Sequence, residues 1–398
     1  MQKIIGTILP SLFSKKINLI YFLIASSLSF LLYNKKYFLK IYKPFELILE
    51  KNNADLNAYL VAIHHMKKGG DPYIDYLGSD IAQYNYPSFF GIFAYIPGFC
   101  LDHIYTIAHI ITALTILLIL FIWKPTSVKT FLIFFTAILS PASVLAFERG
   151  NTDLIIFSLT AIAILNYKNK IVSNSLLLFA VFCKLFPIAA IGNLLFFQKM
   201  NKKNILLLVF FSLLFLLYLF IIRDEIMMIL KNTPFDIYNF CYGFKEIPEI
   251  MRDKLAIDKT LIYFAYVPAF FIIFGVCFYY FKTYVTDLHH IKNDRHLYSL
   301  IVGALIFSFS FFIGINWDYR KIFLLFTLPF ILNNHKIKSF KFAIAICMLI
   351  LWEQLFVRVL FPKEINYTYI IANNIFILIY ISFLTSVIYK VLLKNREL

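Results

Sequence analysis

A chain of 398 residues that is 61% hydrophobic and 19% aromatic but only 15% charged is too apolar for a water-soluble globule, because soluble domains carry about a quarter charged residues. Its mean hydropathy of +0.77 and repeated apolar runs of about twenty residues indicate a protein that lives in a bilayer. This excludes a soluble enzyme, a nucleic-acid binder and a secreted disulfide scaffold. The net charge of +16 must then be explained by where it falls along the chain.

The first apolar run, 17–33, follows Lys3, Lys15 and Lys16 and is followed by Asn34-Lys35-Lys36. Small residues of a cleavage site are missing there, so the run reads as a retained span rather than a signal peptide. Residues 34–100 form the first large segment outside the spans. Within it, Asp55 to Gly70 predicts an amphipathic helix with the apolar stripe Leu56, Tyr59, Leu60, Ile63 and Met66, ended by Gly69-Gly70. Such a helix is expected to lie on the membrane surface. Asp71-Pro72-Tyr73 turns the chain, and Tyr84-Asn85-Tyr86-Pro87 leads into the short apolar run 88–97.

Further apolar runs lie at 101–123, 129–147, 152–167, 171–183, 186–198, 204–222, 259–281, 297–315, 319–333, 342–360 and 369–389. They predict an all-α, polytopic transmembrane bundle of about 11–12 spans, one membrane domain over 1–398 without repeats or linkers. The stretch 171–198 carries Lys184 and Pro187 at its middle, and proline interrupts a helix by removing a donor and clashing with the preceding turn. It is therefore read as a short hairpin that touches one face. With that choice and a cytoplasmic N-terminus, the inside turns and the two ends hold 19 of the 38 Lys+Arg and only three acids, Asp287, Asp294 and Glu397. The surplus thus falls on one face, as the positive-inside rule requires. The charge is a topology signal and not a polyanion site. The second large outside segment is 223–258.

Polar groups that are costly in a bilayer mark candidate chemistry. On this topology Asp55, Asp71, the string Glu148-Arg149-Gly150-Asn151-Thr152-Asp153, Lys184 and Asn316-Trp317-Asp318-Tyr319-Arg320 share the non-cytoplasmic face. Asp55 reads as a helix N-cap or as a proton acceptor, two compatible roles. Asp71 suits a turn. Asn151 and Asp153 suit the start of a helix, where cap and dipole preferences explain them. Arg149 is an anion contact or the partner of Glu148. Lys184 has no carboxylate near it in sequence and reads as a phosphate contact or a snorkelling lysine. Arg320, just after Trp317, is an anion contact or an interface anchor. Glu353, Gln354 and Arg358 read as structural. The five cysteines are scattered without a CxxC, and His64-His65 and His289-His290 lack metal-ligand spacing, so no metal or cofactor is expected.

Asp55-x-x-x-Tyr59, Gly70-Asp71-Pro72-Tyr73 and Tyr84-x-Tyr86-Pro87 together resemble the first outer loop of the GT-C polytopic glycosyltransferases. The resemblance is closest to the polyprenyl-phosphate-mannose-dependent α-mannosyltransferases. Glu148-Arg149-Gly150-Asn151-x-Asp153, Lys184-x-x-Pro187 and Asp318-Tyr319-Arg320 fall where that family has polar breaks, so the likeness runs from about residue 50 to 335. The family commonly shows a double proline after the tyrosine, whereas this chain has Pro87-Ser88. The resemblance implies an inverting, metal-independent transfer of a monosaccharide, mannose or another hexose, from a polyprenyl-phosphate sugar donor to a glycan or glycolipid acceptor. It implies Asp55 as the base; the residues themselves offer Arg149, Lys184 and Arg320 as phosphate contacts, with Asn151, Tyr319, Tyr86 and Asp71 as further substrate contacts. It also implies a multi-pass protein of the bacterial cytoplasmic membrane with its site facing outward. A lipid-linked-sugar flippase or transporter, and a polysaccharide polymerase, are the competing readings.

Overall fold

Apolar side chains at most positions leave the backbone no solvent partner inside a bilayer, and helices satisfy it internally. The computed structural model describes residues 16–33, 53–75, 84–197, 201–233, 241–255, 258–285, 294–360 and 367–397. Asn34-Lys35-Lys36, Asp287, His289-His290 and the Arg358 side chain fall outside the described residues. The described part is helical, with one two-residue strand pair.

Helix α1 (Lys16–Tyr33) packs on α3 (Ile104–Trp123) through Tyr21, Ala25 and Leu28, buried at helical spacing. Between them in sequence lies α2 (Ala54–Lys67). Helix α4 (Val128–Ile138) and α5 (Pro141–Glu148) meet at a 54° bend, where Ser140 caps and Pro141 opens the second helix. The other α-helices of about ten residues or more among the described residues are α6 (Asp153–Leu165), α7 (Lys170–Cys183), α8 (Lys202–Ile221), α9 (Arg223–Asn232), α10 (Glu246–Leu255), α11 (Lys259–Tyr284), α12 (Arg295–Ile313), α13 (Lys338–Leu360) and α14 (Tyr367–Glu397).

The expected 11–12 spans must be revised. Six helices among the described residues are long and apolar enough to cross a membrane, and seven if the bent α4–α5 pair counts as one. Several of the other apolar runs form helices that are too short. Helix α6 has 13 residues, about 20 Å at 1.5 Å per residue, against a hydrocarbon core of about 30 Å. Its side chains are almost all buried against protein, so its length need not match the lipid.

The hairpin expected over 171–198 is present. Lys184 adopts extended backbone after α7, and a 3-10 helix, Phe186–Gly192, carries the chain back with Pro187 in its first turn. Asn193 Nδ2 donates to Asn174 Oδ1 at 2.9 Å, and Lys170 Nζ to Asn204 Oδ1 at 2.6 Å. The end of the returning arm therefore lies beside the start of the outgoing one, with Lys184 at the apex. A second reversal follows α12. There a 3-10 segment, Asp318–Phe326, runs back along that helix until Asn333 reaches His296 at 2.7 Å.

Segments 34–100 and 223–258 are tied together above this apex. Glu225 on α9 accepts from Ser88 N (2.8 Å), Ser88 Oγ (2.6 Å) and Tyr73 Oη (3.1 Å). Strand β1 (Cys241–Tyr242) pairs antiparallel with β2 (Asn316–Trp317), Tyr242 opposite Asn316. Gly243 has φ +147°, and a Cβ there would lie 1.9 Å from the Gly314 carbonyl oxygen. Only glycine lets the two strands approach this closely.

Candidate functional site

The site is organised by the turn between α5 and α6. Gly150 takes φ +56°, and a Cβ on it would lie 3.1 Å from both Asn53 Oδ1 and Leu56 Cβ. Its absence lets the start of α2 seat directly on the turn. The Glu148 carbonyl accepts from Asn53 N at 2.8 Å, and the Arg149 carbonyl from Asp55 N at 3.1 Å and Leu56 N at 3.4 Å. Backbone from elsewhere in the chain thus satisfies the free N–H groups of the α2 terminus. The N-cap expected at Asp55 is corrected: the cap position is Asn53, which makes no side-chain cap bond.

Freed from capping, the Asp55 carboxylate faces inward to its neighbours. Arg149 Nε donates to Oδ2 at 2.9 Å and Arg149 Nη2 to Oδ1, a forked pair. Asn151 Nδ2 also donates to Oδ2, while Asn151 Oδ1 accepts from Asp153 N at 2.8 Å. One amide therefore joins Asp55 to the start of α6.

Asp153 is the adjoining hub. Lys184 Nζ reaches Oδ1 at 2.5 Å and Arg320 Nε reaches Oδ2 at 3.1 Å, while Arg320 Nη1 donates to Asn316 Oδ1. Aromatic faces carry each cation: Lys184 lies 4.7 Å from the Tyr86 ring centroid, Arg320 4.7 Å from Phe186 and Arg149 5.2 Å from Trp317. Trp317 stacks on Tyr319 at 6.0 Å. Burial, and next to it the Asp55 charge, push the Tyr86 phenol above its ordinary range. Tyr86 is a hydrogen-bond donor at neutral pH and not a base.

Accessibility separates the two carboxylates. The Asp55 side chain is 15% exposed and Asp153 0%, whereas Arg149, Lys184 and Arg320 keep 16%, 12% and 18%. Asp55 and the three cations therefore keep some exposed surface, whereas Asp153 keeps none and lies behind them. Asp153 holds two cations with one negative charge, which leaves a local surplus of +1.

Of the residues singled out in sequence, Asp55, Tyr86, Arg149, Asn151, Lys184, Tyr319 and Arg320 come together here. Asp71 does not. It is exposed, its Oδ1 accepts from Tyr73 N at 2.9 Å, and it serves the turn. Lys184, with no carboxylate near it in sequence, meets Asp153 from 31 residues away. Trp317 carries the Arg149 guanidinium on its ring face within this cluster. The α2 stripe is spent on protein rather than on lipid: Tyr59 is fully buried and donates to the Phe90 carbonyl at 2.5 Å. Asp318 points away, to Lys321 at 2.6 Å and to Gln354, and Lys321 also meets Glu353. Sequence alone gives Asn316 and Glu225 no role and reads Asp153 only as the start of a helix. A lone carboxylate opening an otherwise uncharged apolar helix was the signal available for Asp153. Among the described residues, no three His, Cys, Asp or Glu side chains gather as metal ligands.

The chain matches no protein-family model, no curated protein and no solved structure.

Proposed function

We propose that this chain is a membrane glycosyltransferase of the GT-C type. In this reading it moves a monosaccharide from a polyprenyl-phosphate donor to a glycan or glycolipid acceptor on the non-cytoplasmic face. The observation that carries the reading is one accessible carboxylate, Asp55, beside three partly accessible cations, two of which share a single sealed aspartate.

Two charge movements must be served. An acceptor hydroxyl becomes an adequate nucleophile when a carboxylate takes its proton as the new C–O bond forms. Asp55 is the reachable carboxylate, and Arg149 with Asn151 fixes its plane. As the anomeric carbon–oxygen bond to the phosphate breaks, the electron pair leaves with the lipid phosphate, whose charge grows from about −1 to −2. Lys184, Arg320 and Arg149 meet that growing charge, and preorganised cations in a water-poor site act strongly on it. The arriving phosphate also gives Arg149 a second anion to contact, which releases a lone pair of Asp55 for the hydroxyl. A single base with no second accessible carboxylate beside it among the described residues fits a direct, inverting displacement.

The test uses the full chain in proteoliposomes with a labelled polyprenyl-phosphate hexose and an acceptor glycolipid. Transfer of one sugar, reduced at least a hundredfold in Asp55→Asn, is expected. Full activity in that variant overturns the base assignment. Label crossing the bilayer without a new glycosidic bond would replace the reading with a transporter, and a ladder of products with a polymerase.

A further inference from the structure

The opposite end of the bundle holds a second assembly of different composition. The α6–α7 turn and the start of α8 border an open groove of about 450 Å³ lined by Lys168, Asn169, Lys170, Ile171, Lys203 and Leu207. Half of these lining residues are cations and none is an acid. Lys170 is half-buried and donates to Asn204 Oδ1 at 2.6 Å, a neutral acceptor on a residue only 2% exposed. The charge of Lys203 acts directly against that of Lys170. Helices α7 and α8 both begin at this groove, so the positive ends of their dipoles add to the field.

The positive-inside bias accounts for lysines on one face. It does not account for their gathering around a groove whose described lining holds no acid. Its walls are also mixed: Ile171 is 56% exposed and Leu207 partly exposed. A ligand that satisfies both halves is amphiphilic, with an anionic head and an apolar tail. A free small anion meets the lysines and leaves the apolar lip unused.

We propose that this groove binds the phosphate headgroup of an anionic membrane lipid, the phosphate among Lys168, Lys170 and Lys203 and an acyl chain along Ile171 and Leu207. The site is independent of the Asp55 cluster and of the activity proposed for it.

The experiment reconstitutes the full chain in nanodiscs of phosphatidylcholine doped with phosphatidylglycerol and reads retained lipid by native mass spectrometry. Selective retention of phosphatidylglycerol is expected. The variant combining Lys168→Gln, Lys170→Gln and Lys203→Gln is expected to lower it about a hundredfold, at roughly fivefold per lysine near a membrane surface, while Lys→Arg at the same positions keeps it. If the triple variant does not fold, Lys168→Gln and Lys203→Gln alone, both at exposed positions, each carry the expected fivefold loss. Equal retention of the two lipids, or unchanged retention in folded Gln variants, overturns the proposal. Displacement of the lipid by glycerol 3-phosphate also overturns it, by assigning the site to a free phosphate.

Discussion

Asp318 and Arg320 are two residues apart, yet they enter networks of opposite stoichiometry. On one side a single acid, Asp153, lies between two cations, Lys184 and Arg320. On the other a single cation, Lys321, lies between two acids, Asp318 and Glu353. Lys184 and Arg320 keep 12% and 18% exposure, whereas Lys321 and Asp318 have none and Glu353 7%. The same residue types thus make a partly exposed cluster with surplus positive charge and a sealed strut that joins the 3-10 segment to α13. What separates them is access and the sign of the unmatched charge.

The contrast breaks most visibly at Lys321. Lys321→Met leaves two buried acids without their cation, and removing one partner of a buried pair costs about 3–5 kcal/mol. Thermal unfolding in detergent is expected to register that loss, and adding Asp318→Asn with Glu353→Gln to recover much of it. An unchanged midpoint in Lys321→Met removes the strut from the account. Asp55→Asn is expected to do the reverse, lowering transfer by about 10²–10⁴-fold with little change in melting. Next in size, Arg320→Lys keeps the charge but loses the planar fork shared with Asp153 and Asn316. A fall in turnover of about 10²-fold, with the fold intact by circular dichroism, separates positioning of charge from its mere presence.

Gly150→Ala places a side chain in the left-handed region and against Asn53 and Leu56. A cost of about 1–3 kcal/mol is expected in chemical unfolding, together with lower activity because α2 is displaced. The smallest effect concerns the turn after α2. His65 Nε2 lies 2.6 Å from Asp75 Oδ2, and this bond, followed by that from Asp71 N, holds the Asp75 carboxyl below its ordinary value. A lowered value means that the contribution is fully present above the ordinary aspartate range and disappears as pH falls through the lowered value. The protection factor of the Asp71 amide, which donates to Asp75 Oδ2 at 2.8 Å, is therefore expected to fall only in acid, and a protection factor flat across that range would remove the role of Asp75.

Much of this was legible in the chain itself. The stripe Leu56, Tyr59, Leu60, Ile63 is helical by its spacing, and the break at Lys184 and Pro187 follows from the missing donor. The polar strings at 148–153 and 316–320 stand out because apolar surroundings make each polar atom costly. The pairing was not legible. Asp153 meets Arg320 across 167 residues, and local spacing carries no information about which cation closes on which acid. The capping of α2 was hidden for a related reason, because its partners are carbonyls of residues 148 and 149, and side-chain identity does not encode them. The shortness of α6 was legible as a number, but its meaning depended on neighbours that bury it.

The seat of α2 on residues 148 and 149 has a mechanical consequence. Asp55 and Arg149 project from a single junction of two backbones, joined by three carbonyl bonds, rather than from helices that slide past one another. Bilayers of different thickness tilt and shift spanning helices, but this pair travels as one piece. Its spacing is therefore insulated from lipid chain length, and a host that remodels its acyl chains leaves the two groups in register.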